Sequence, residues 1–316
     1  MPSPELIPRA ARGEIPAIAR LISRAESGIP EARPALAEIY KRAGAAHVIG
    51  ITGVPGSGKS TLVAALAARL RATGGKVGVV AVDPSSPYSG GAILGDRIRM
   101  TELALDPGIY IRSMATRGAM GGMARATLDA VDILDVGGFD TVIIETVGVG
   151  QDEVEIAKAS HTTIVVSAPG LGDEIQAIKA GMLEIADIHI VSKCDRSDAN
   201  RTLTDLKQML TMGVRAGVKT EWRVPVIGVS SFNGEGFDEL IESIAKHRVF
   251  IKGSASGAER RLAIAGFRLE KTAENLLIER FHHAAAALRP ALAAKLSARE
   301  GDPYSLAREL LAASLA

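Results

Sequence analysis

One stretch of nine residues constrains the fold more than any other part of the chain. Residues 53–61 read Gly-Val-Pro-Gly-Ser-Gly-Lys-Ser-Thr and match the phosphate-binding pattern GxxxxGK[ST] without a gap. An apolar run, residues 47–52, comes directly before the motif, and an alanine- and leucine-rich run, residues 62–70, comes directly after it. A strand, a loop and a helix in this order are the context that the motif requires. The sequence therefore predicts a phosphate-binding loop rather than a glycine-rich turn that fits the pattern by chance.

The chemistry of this loop follows from its backbone and two of its side chains. Successive N–H groups converge on an anion, and the N-terminus of the following helix adds a partial positive charge. We expect Lys59 to contact the β and γ phosphates of a nucleotide and the Ser60 hydroxyl to bind Mg²⁺. The predicted nucleotide contacts in the loop are Gly53, Pro55, Gly56, Ser57, Gly58, Lys59, Ser60 and Thr61.

Charge and cysteine content exclude several classes of protein. The 316 residues carry 37 Lys and Arg against 36 Asp and Glu, so no excess of basic charge favours nucleic acid as the main partner. A single cysteine, Cys194, predicts a reduced, cytoplasmic protein. No apolar run approaches the roughly 18 to 20 residues that span a bilayer, so we expect no membrane association. Glutamates interleave with the arginines of residues 1–46, which disfavours a transit peptide.

The apolar runs of the sequence predict an α/β fold with a doubly wound, mostly parallel sheet. They alternate with helical segments and are almost continuously apolar, as expected for strands that are covered on both faces. The predicted strands cover residues 47–52, 76–82, 108–112, 141–145, 163–167, 188–192 and 224–229. The ligand of such a sheet lies beyond the carboxyl ends of its strands, where the glycine-rich loop is also expected.

Helical extensions flank this predicted P-loop NTPase core, which we place at residues 47–250. Residues 1–46 are expected to form an N-terminal helical extension that packs on the core. Residues 251–316 lack strand patterns and predict a C-terminal helical arm, either a packed subdomain or a dimerisation element. The helices expected in these extensions cover residues 6–24, 33–42, 260–288 and 304–311, with a break at Pro290 and a flexible joint over residues 252–257.

Three carboxylates at or near predicted strand ends are candidates for the Mg²⁺ site. Glu145 ends an apolar strand, and Gly148 follows it by three residues, as in the DxxG element of GTPases, in which the glycine amide contacts the γ-phosphate. Because Glu replaces Asp here, we expect it to act through a coordinated water. Asp83, at another strand end, and Asp96 are candidates for the same water shell. Each residue also has a purely structural alternative: Glu145 as a solvated strand end, Asp83 as a turn residue before proline, and Asp96 as a helix cap.

Two downstream elements predict which base the nucleotide carries. Residues 192–195 read Ser-Lys-Cys-Asp and resemble the [NT]KxD base-recognition motif of GTPases. The Asp195 carboxylate can accept hydrogen bonds from N1 and the 2-amino group of guanine, a donor pair that adenine lacks, and the stem of Lys193 lies over the base. Serine in place of asparagine at the first position weakens the contact near N7 of the purine. Residues 228–236 resemble the SAxxGxG loop that supports the same base, with predicted contacts at Ser230 and Ser231.

Taken together, these elements resemble the MeaB/ArgK group of P-loop GTPases, the methylmalonyl-CoA mutase-associated G-protein chaperones. The resemblance is carried by Ile-Gly-Ile-Thr-Gly-Val-Pro-Gly (49–56), Val-Asp-Pro-Ser-Ser-Pro (82–87), Gly-Asp-Arg (95–97), Met-Ala-Thr-Arg-Gly (114–118), Glu-Thr-Val-Gly-Val-Gly-Gln (145–151) and Gly-Asp-Glu-Ile-Gln (172–176). It implies a homodimeric GTPase that binds an adenosylcobalamin-dependent acyl-CoA mutase, helps to load its cofactor from an adenosyltransferase, and protects the mutase from inactivation. It also implies mobile switch segments at residues 83–99, 147–155 and 170–179.

The mechanism that we expect is Mg²⁺-dependent hydrolysis of GTP to GDP and phosphate by an in-line water, with catalysis by positioning and charge neutralisation. No glutamine directly follows Gly148, so the residue that positions this water is unassigned, and Gln151 is a weak candidate. An enzyme of this design should be slow alone and faster with a partner. The residues expected to hold the phosphates, the metal and its water shell are Lys59, Ser60, Asp83, Asp96 and Glu145.

Three rival functions share parts of this pattern. A small-molecule kinase would also carry a phosphate loop, but it has no reason to carry the element at residues 192–195. A nickel-delivery GTPase would normally offer clustered Cys and His ligands, which the sequence lacks. A transport-linked kinase acting on a periplasmic binding protein is an older description of the same group, and the sequence provides no site for that reaction.

Overall fold

The computed structural model describes residues 1–83, 103–115, 125–146, 152–170, 184–215 and 221–315. The chain divides into two compact units, Met1–Ala265 and Gly266–Ala316. The first unit contains the sheet, and the described part of the second is helical. The predicted domain boundaries after residues 46 and 250 stay predictions.

The described strands form one parallel sheet in the order β3-β2-β4-β1-β5-β6-β7, which confirms the predicted α/β fold. Their bounds are β1 His47–Gly53, β2 Val77–Asp83, β3 Ile109–Ala115, β4 Thr141–Thr146, β5 Thr162–Ser167, β6 Ile188–Ser192 and β7 Val226–Val229. Strand β1 pairs with β4 on one side and β5 on the other, so the phosphate-binding motif leaves the sheet near its centre. The carboxyl ends of all seven strands lie at one edge because the strands are parallel.

Helices cover both faces of the sheet. In the first unit they are α1 Ser3–Ala11, α2 Ile15–Ser27, α3 Arg33–Arg42, α4 Lys59–Ala72, α5 Arg125–Val136, α6 Asp152–Ala159, α7 Ala199–Arg215 and α8 Phe237–Gly253. Apolar side chains of α4 and α8 share one buried cluster with the side chains of Ile49 and Ile227. On the opposite face, Gly50 faces α6 and Gly78 faces α5. Burial on both faces explains why the strands are almost continuously apolar in sequence.

The N-terminal extension consists of separate helices that pack against α5. The prediction of one helix over residues 6–24 is wrong, because α1 and α2 are divided at residues 12–14. Gly13 adopts a left-handed backbone, with φ +77°, which turns the chain away at the end of the first helix. Pro16 then lies in the first turn of α2, where its missing N–H costs no helical hydrogen bond. Helix α3 has the predicted bounds.

The junction between α8 and the next helix, α9 (Ala255–Ser297), is shorter than the sequence predicted. The flexible joint expected over residues 252–257 is wrong, since only Ser254 is extended between the two helices. The Ser254 hydroxyl accepts a hydrogen bond from the Gly257 N–H at 3.0 Å, which caps the start of α9. A capped helix start therefore replaces the expected joint.

The break expected at Pro290 is also wrong, because this residue lies inside α9. A proline removes a single helical hydrogen bond, and the alanines and leucines around it favour the helix. The last helix, α10 (Pro303–Leu315), contains the predicted residues 304–311. It is capped by Asp302, whose carboxylate accepts a hydrogen bond from Tyr304 N at 2.9 Å.

Across the parts of the chain that the structure describes, no helix is both long and apolar enough to cross a membrane.

Candidate functional site

The phosphate-binding motif forms a tight loop between the end of β1 and the start of α4 at Lys59. A side chain at Gly53 would collide with the backbone carbonyl of Val166 on the neighbouring strand. Gly58 precedes the helix with a left-handed backbone, φ +85°. The glycines therefore allow the chain to turn closely enough for its N–H groups to surround an anion.

Lys59 projects back across this loop. Its ammonium donates hydrogen bonds to the carbonyl oxygens of Gly53 at 2.8 Å and Val54 at 3.0 Å, and the residue is buried. Pro55 and Gly56 lie on the exposed side of the loop, as does Thr61 in the first turn of α4. The loop thus combines a fixed cation with an exposed backbone rim, the arrangement expected for phosphate groups.

The end of β4 brings a carboxylate to the phosphate loop. The Ser60 hydroxyl donates to Glu145 Oε1 at 2.7 Å, and Glu145 is only 4% exposed. This contact arises because β4 is the direct neighbour of β1, so the two strand ends meet. A hydroxyl beside a carboxylate oxygen matches the hard oxygen ligands that Mg²⁺ prefers. These two predicted metal residues therefore fit the ion.

Of the other predicted catalytic and metal residues, Asp83 belongs to the described part of the sheet. The backbone of Asp83 ends β2, which places it at the same edge of the sheet, one strand beyond β4. Asp96, Gly148 and Gln151 lie outside the described residues. Their predicted roles stay predictions.

The base-recognition element at the end of β6 is tied directly to the phosphate loop. The Ser192 hydroxyl lies 2.5 Å from the Ser57 carbonyl oxygen and 3.0 Å from that of Ser167. A hydroxyl has one hydrogen, so it donates to only one of the two at a time. The Lys193 ammonium donates to the Gly56 carbonyl at 3.1 Å. Residues separated by 137 positions thus form one continuous rim, with the Asp195 side chain exposed at its outer end.

The second base-recognition loop, residues 230–236, is closed by its own hydrogen bonds. Ser230 is fully buried, its N–H donates to the Glu235 carbonyl at 3.0 Å, and its hydroxyl accepts from Phe232 N at 3.2 Å. Cys194 N donates to the Val229 carbonyl at 3.2 Å, which joins this loop to the first element. Burial, together with the nearby Glu235 carboxylate, raises the pKa of the Cys194 thiol, as expected for a spacer residue rather than a reactive one.

A second polar cluster, which the sequence did not reveal, lies at the opposite, amino edge of the sheet. The Thr162 hydroxyl bonds His47 Nε2 at 2.9 Å and His247 Nδ1 at 2.8 Å. His247 Nε2 lies 3.3 Å from the Asp187 carboxylate, which also accepts from Arg260 at 2.8 Å. We name these five residues the amino-edge cluster. Although burial alone would raise it, the hydrogen bond from His247 and the charge of Arg260 hold the pKa of Asp187 below its usual value.

The amino-edge cluster borders a cleft of about 650 Å³ within the first unit. Its lining includes Trp222 and Phe250 besides Asp187, His247 and Arg260. Arg260 also donates to the Ser160 carbonyl at 3.1 Å and the Thr163 hydroxyl at 2.9 Å. The side chains of the amino-edge cluster bond one another, so the cluster links strands of the sheet to the helices beside them.

Comparisons with known proteins agree with the geometry of the carboxyl edge. The family described as "Methylmalonyl Co-A mutase-associated GTPase MeaB" matches residues 18–286. A protein of Pyrococcus horikoshii, named provisionally as a GTPase, is 48% identical over 260 residues that cover 82% of each chain. The mouse protein named methylmalonic aciduria type A homolog, mitochondrial, is 37% identical over 216 residues, 67% of this chain and 52% of the mouse chain. The crystal structure of a protein named LAO/AO transport system kinase has a TM-score of 0.68 and 26% identity, covering 97% of this chain and 95% of the other.

Proposed function

Because the chain belongs to the family of methylmalonyl-CoA mutase-associated GTPases, we propose that it hydrolyses GTP with Mg²⁺ and acts as a chaperone of an adenosylcobalamin-dependent acyl-CoA mutase. In this role it helps to load the mutase cofactor, received from an adenosyltransferase, and protects the mutase from inactivation. We place it in the cytoplasm as a homodimer. The mutase role is supported by the family description and by the name of the mouse relative.

The observation that carries the nucleotide part of this proposal is the direct link between the phosphate loop and the base-recognition element. Lys193 bonds the Gly56 carbonyl, and Ser192 lies against the Ser57 carbonyl. A nucleotide carries its phosphates and its base at opposite ends, so the two elements must be held at a fixed separation. The exposed Asp195 carboxylate at the end of this rim supports guanine, which offers two donors on one edge.

The residues of the phosphate loop would perform the reaction mainly by positioning. Backbone N–H groups and the Lys59 ammonium would hold the phosphate oxygens, while Ser60 and Glu145 would hold Mg²⁺ and its waters. The metal, when bound, neutralises charge on the β and γ phosphates. A water attacks the γ phosphorus in line with the leaving GDP, and the products are GDP and phosphate. Asp83, Asp96, Gly148 and Gln151 are proposed to complete the metal shell and to position this water.

Homodimer formation is supported by a stripe of exposed leucines on α9. In the second unit, Leu269, Leu276 and Leu277 are 72%, 42% and 63% exposed, and Leu269 and Leu276 are seven residues apart. Exposed apolar side chains seven residues apart lie on one side of a helix, where a second helix can cover them. We therefore propose residues 251–316 as the dimerisation arm, beside an N-terminal extension at residues 1–46 and a GTPase core at residues 47–250.

The experiment that tests this function measures phosphate release from GTP by the purified protein, with and without an adenosylcobalamin-dependent methylmalonyl-CoA mutase. We expect slow turnover alone and at least about a tenfold increase with the mutase, as for GTPases whose site is completed by a partner. Asp195→Ala should weaken GDP binding while leaving the weak binding of ADP unchanged. An exposed aspartate elsewhere, Asp205→Ala, is the matched control.

Two outcomes would contradict the proposal. In the first, the mutase does not change GTP turnover and no mutase co-purifies with the protein from the native host. The chaperone role would then be wrong, while the GTPase activity would stand. A phosphorylated small-molecule or protein acceptor in place of free phosphate would show a kinase, the kind of enzyme for which the structural neighbour is named.

A further inference from the structure

Phe232 is unusually exposed for a phenylalanine. Its exposed fraction is 92%, whereas Phe237, five residues later, is fully buried. An aromatic ring of this size exposes a large apolar surface, which soluble proteins usually cover or use for binding. Phe232 directly follows Ser231 in the loop of residues 230–236, so its position calls for an explanation in terms of binding.

The backbone around Phe232 is fixed rather than free to fold the ring inward. Its own N–H and that of Asn233 both donate to the Ser230 hydroxyl, at 3.2 and 3.4 Å. Gly234 N donates to the Ser230 carbonyl at 3.0 Å, and Glu235 N donates to Asn233 Oδ1 at the same distance. Ser230 itself is buried. The loop therefore restrains the backbone at Phe232, whose ring lies exposed on the surface.

The same loop lies beside the element that carries Asp195. The two elements follow neighbouring strands, β7 and β6, and Cys194 N donates to the Val229 carbonyl at 3.2 Å. A carboxylate contacts only the edge of a planar base, and the stem of Lys193 is expected to cover one of its two faces. The other face is left for a flat apolar partner. Phe232 is the one strongly exposed phenylalanine of the described residues, and it projects from this rim.

We propose that Phe232 stacks on the face of the guanine base and contributes a large part of the affinity for the nucleotide. This inference rests on the proposed function, because it requires a purine nucleotide at the carboxyl edge. Stacking adds affinity but little discrimination between bases, since every base has an aromatic face. Asp195 then supplies the choice of guanine, and Phe232 supplies the affinity that an exposed carboxylate alone does not.

The test compares Phe232→Ala with wild type in calorimetric titrations of GDP and IDP in the presence of Mg²⁺. Loss of one base stack weakens binding by about 5- to 150-fold. We expect a loss of this size, equal for the two nucleotides, because stacking does not read the 2-amino group. Phe232→Tyr keeps the ring and should stay within about threefold of wild type. The affinity for inorganic tripolyphosphate, measured by its competition with GDP, should be the same in Phe232→Ala and wild type, because this ligand has no base.

Matched controls separate stacking from a general surface effect. Val249→Ala truncates another exposed apolar side chain, 73% exposed, on helix α8, and should not change GDP affinity. In Phe232→Trp, the new indole should lose fluorescence when GDP binds, beyond any change of the native Trp222 measured in wild type.

Each outcome bears on a different claim. If wild type binds GDP and Phe232→Ala binds it equally well, the stacking inference is wrong and the GTPase proposal stands; Phe232 is then better explained as an anchor for a protein partner. If wild type prefers ADP and Phe232→Ala weakens it, stacking stands and guanine recognition is wrong. If wild type binds no nucleotide, both proposals are wrong.

Discussion

The two edges of the sheet use polar residues in opposite ways. At the amino edge, Arg260, Asp187, His247 and Thr162 bond one another across strands and helices, and the polar atoms of the arginine and the carboxylate are matched within the protein. At the carboxyl edge, the Lys59 ammonium lies across the phosphate loop, and Pro55, Gly56 and the Asp195 carboxylate are exposed. The side chains of the first arrangement bond one another, whereas the second keeps an exposed rim and an exposed carboxylate that a ligand can reach.

This difference shows that a cleft alone does not identify a site. The cleft of about 650 Å³ borders the amino edge, yet two of its charged lining groups, Asp187 and Arg260, already pair with each other. Among the described residues, the phosphate loop does not line this cleft, but it places a lysine and a glycine-rich turn at the start of a helix, where anions are favoured. We therefore expect substitutions at the carboxyl edge to change catalysis, and substitutions at the amino edge to change stability.

The largest effect is expected at Lys59. Replacing it with alanine removes the ammonium that holds the phosphate oxygens and should lower kcat/KM for GTP by roughly 1,000-fold. Phosphate release under steady-state conditions measures this value. Lys246→Ala, which removes an exposed lysine of α8, is the matched control and should leave turnover unchanged. Turnover by Lys59→Ala within about tenfold of wild type would mean that the reaction does not occur at this loop.

The next effect concerns the amino edge. Asp187→Ala leaves the partly buried Arg260 without its carboxylate and should lower the free energy of unfolding by about 3 kcal/mol. Urea denaturation measures this loss. GTP turnover by the folded fraction should stay within about twofold of wild type, because the cluster lies at the far edge of the sheet. Asp205→Ala, which removes an exposed ion pair of α7, should cost less than about 1 kcal/mol. A catalytic loss in Asp187→Ala without a stability loss would break the distinction between the two edges.

Two histidines at the amino edge, the buried His47 and the partly buried His161, should make stability depend on pH. Burial, with a smaller contribution from the charge of Arg260, lowers the pKa of His161 to about 4, and burial beside His161 lowers the pKa of His47 to about 3. Below the usual pKa of about 6.5, the unfolded chain binds protons that the folded chain does not bind, so stability falls as the pH decreases. His161 alone should contribute a loss of about 2 kcal/mol between pH 7 and pH 4.5.

The variant His161→Asn isolates this contribution. His161 Nδ1 accepts a hydrogen bond from Val48 N at 3.0 Å, and an asparagine oxygen can accept the same bond without titrating. The free energy of unfolding of the variant, measured by urea denaturation across this pH range, should therefore decrease by about 2 kcal/mol less than that of wild type. His283→Asn, at an exposed position on α9, should follow the wild-type curve. Parallel curves for wild type and His161→Asn would remove His161 as the source of the pH dependence.

The sequence directs attention to the carboxyl edge because its signals there are contiguous. The phosphate loop is a nine-residue pattern between an apolar run and a helix, and each base element directly follows a strand. The parallel sheet was predictable because buried strands are continuous apolar runs. The meeting of Ser60 with Glu145 followed once β1 and β4 were neighbours, although the strand order itself could not be read from the runs.

The amino-edge cluster was not predictable, because no local pattern marks it. His47 and Thr162 are 115 positions apart, and each residue alone reads as an ordinary strand residue. Helix ends were also missed where tertiary packing and capping outweigh the effect of one residue. Pro290 was expected to end a helix that continues through it, and the predicted joint at residues 252–257 is a single extended serine.

The smallest effect is expected at Ser192, where the chain departs from the usual asparagine. Ser192→Ala removes the donor that lies between the Ser57 and Ser167 carbonyls and should weaken GDP binding by about fivefold, the value of one net hydrogen bond. Because the hydroxyl acts through the loop and not on the reacting atoms, kcat at saturating GTP should stay unchanged. Stopped-flow dissociation of labelled GDP measures the change, with the exposed Ser197→Ala as the control.

Ser192→Asn sharpens the same comparison. An amide carries two N–H hydrogens and can donate to both carbonyls at once, whereas the serine hydroxyl can serve only one. Among the described residues, the buried hydroxyls of Ser57 and Ser167 have no hydrogen-bond partner, so further polar atoms can be matched beside position 192. We expect GDP to dissociate more slowly from Ser192→Asn than from wild type. Faster dissociation would mean that the buried space beneath the loop fits only a small side chain, and that serine is required there by packing rather than by its hydrogen bond.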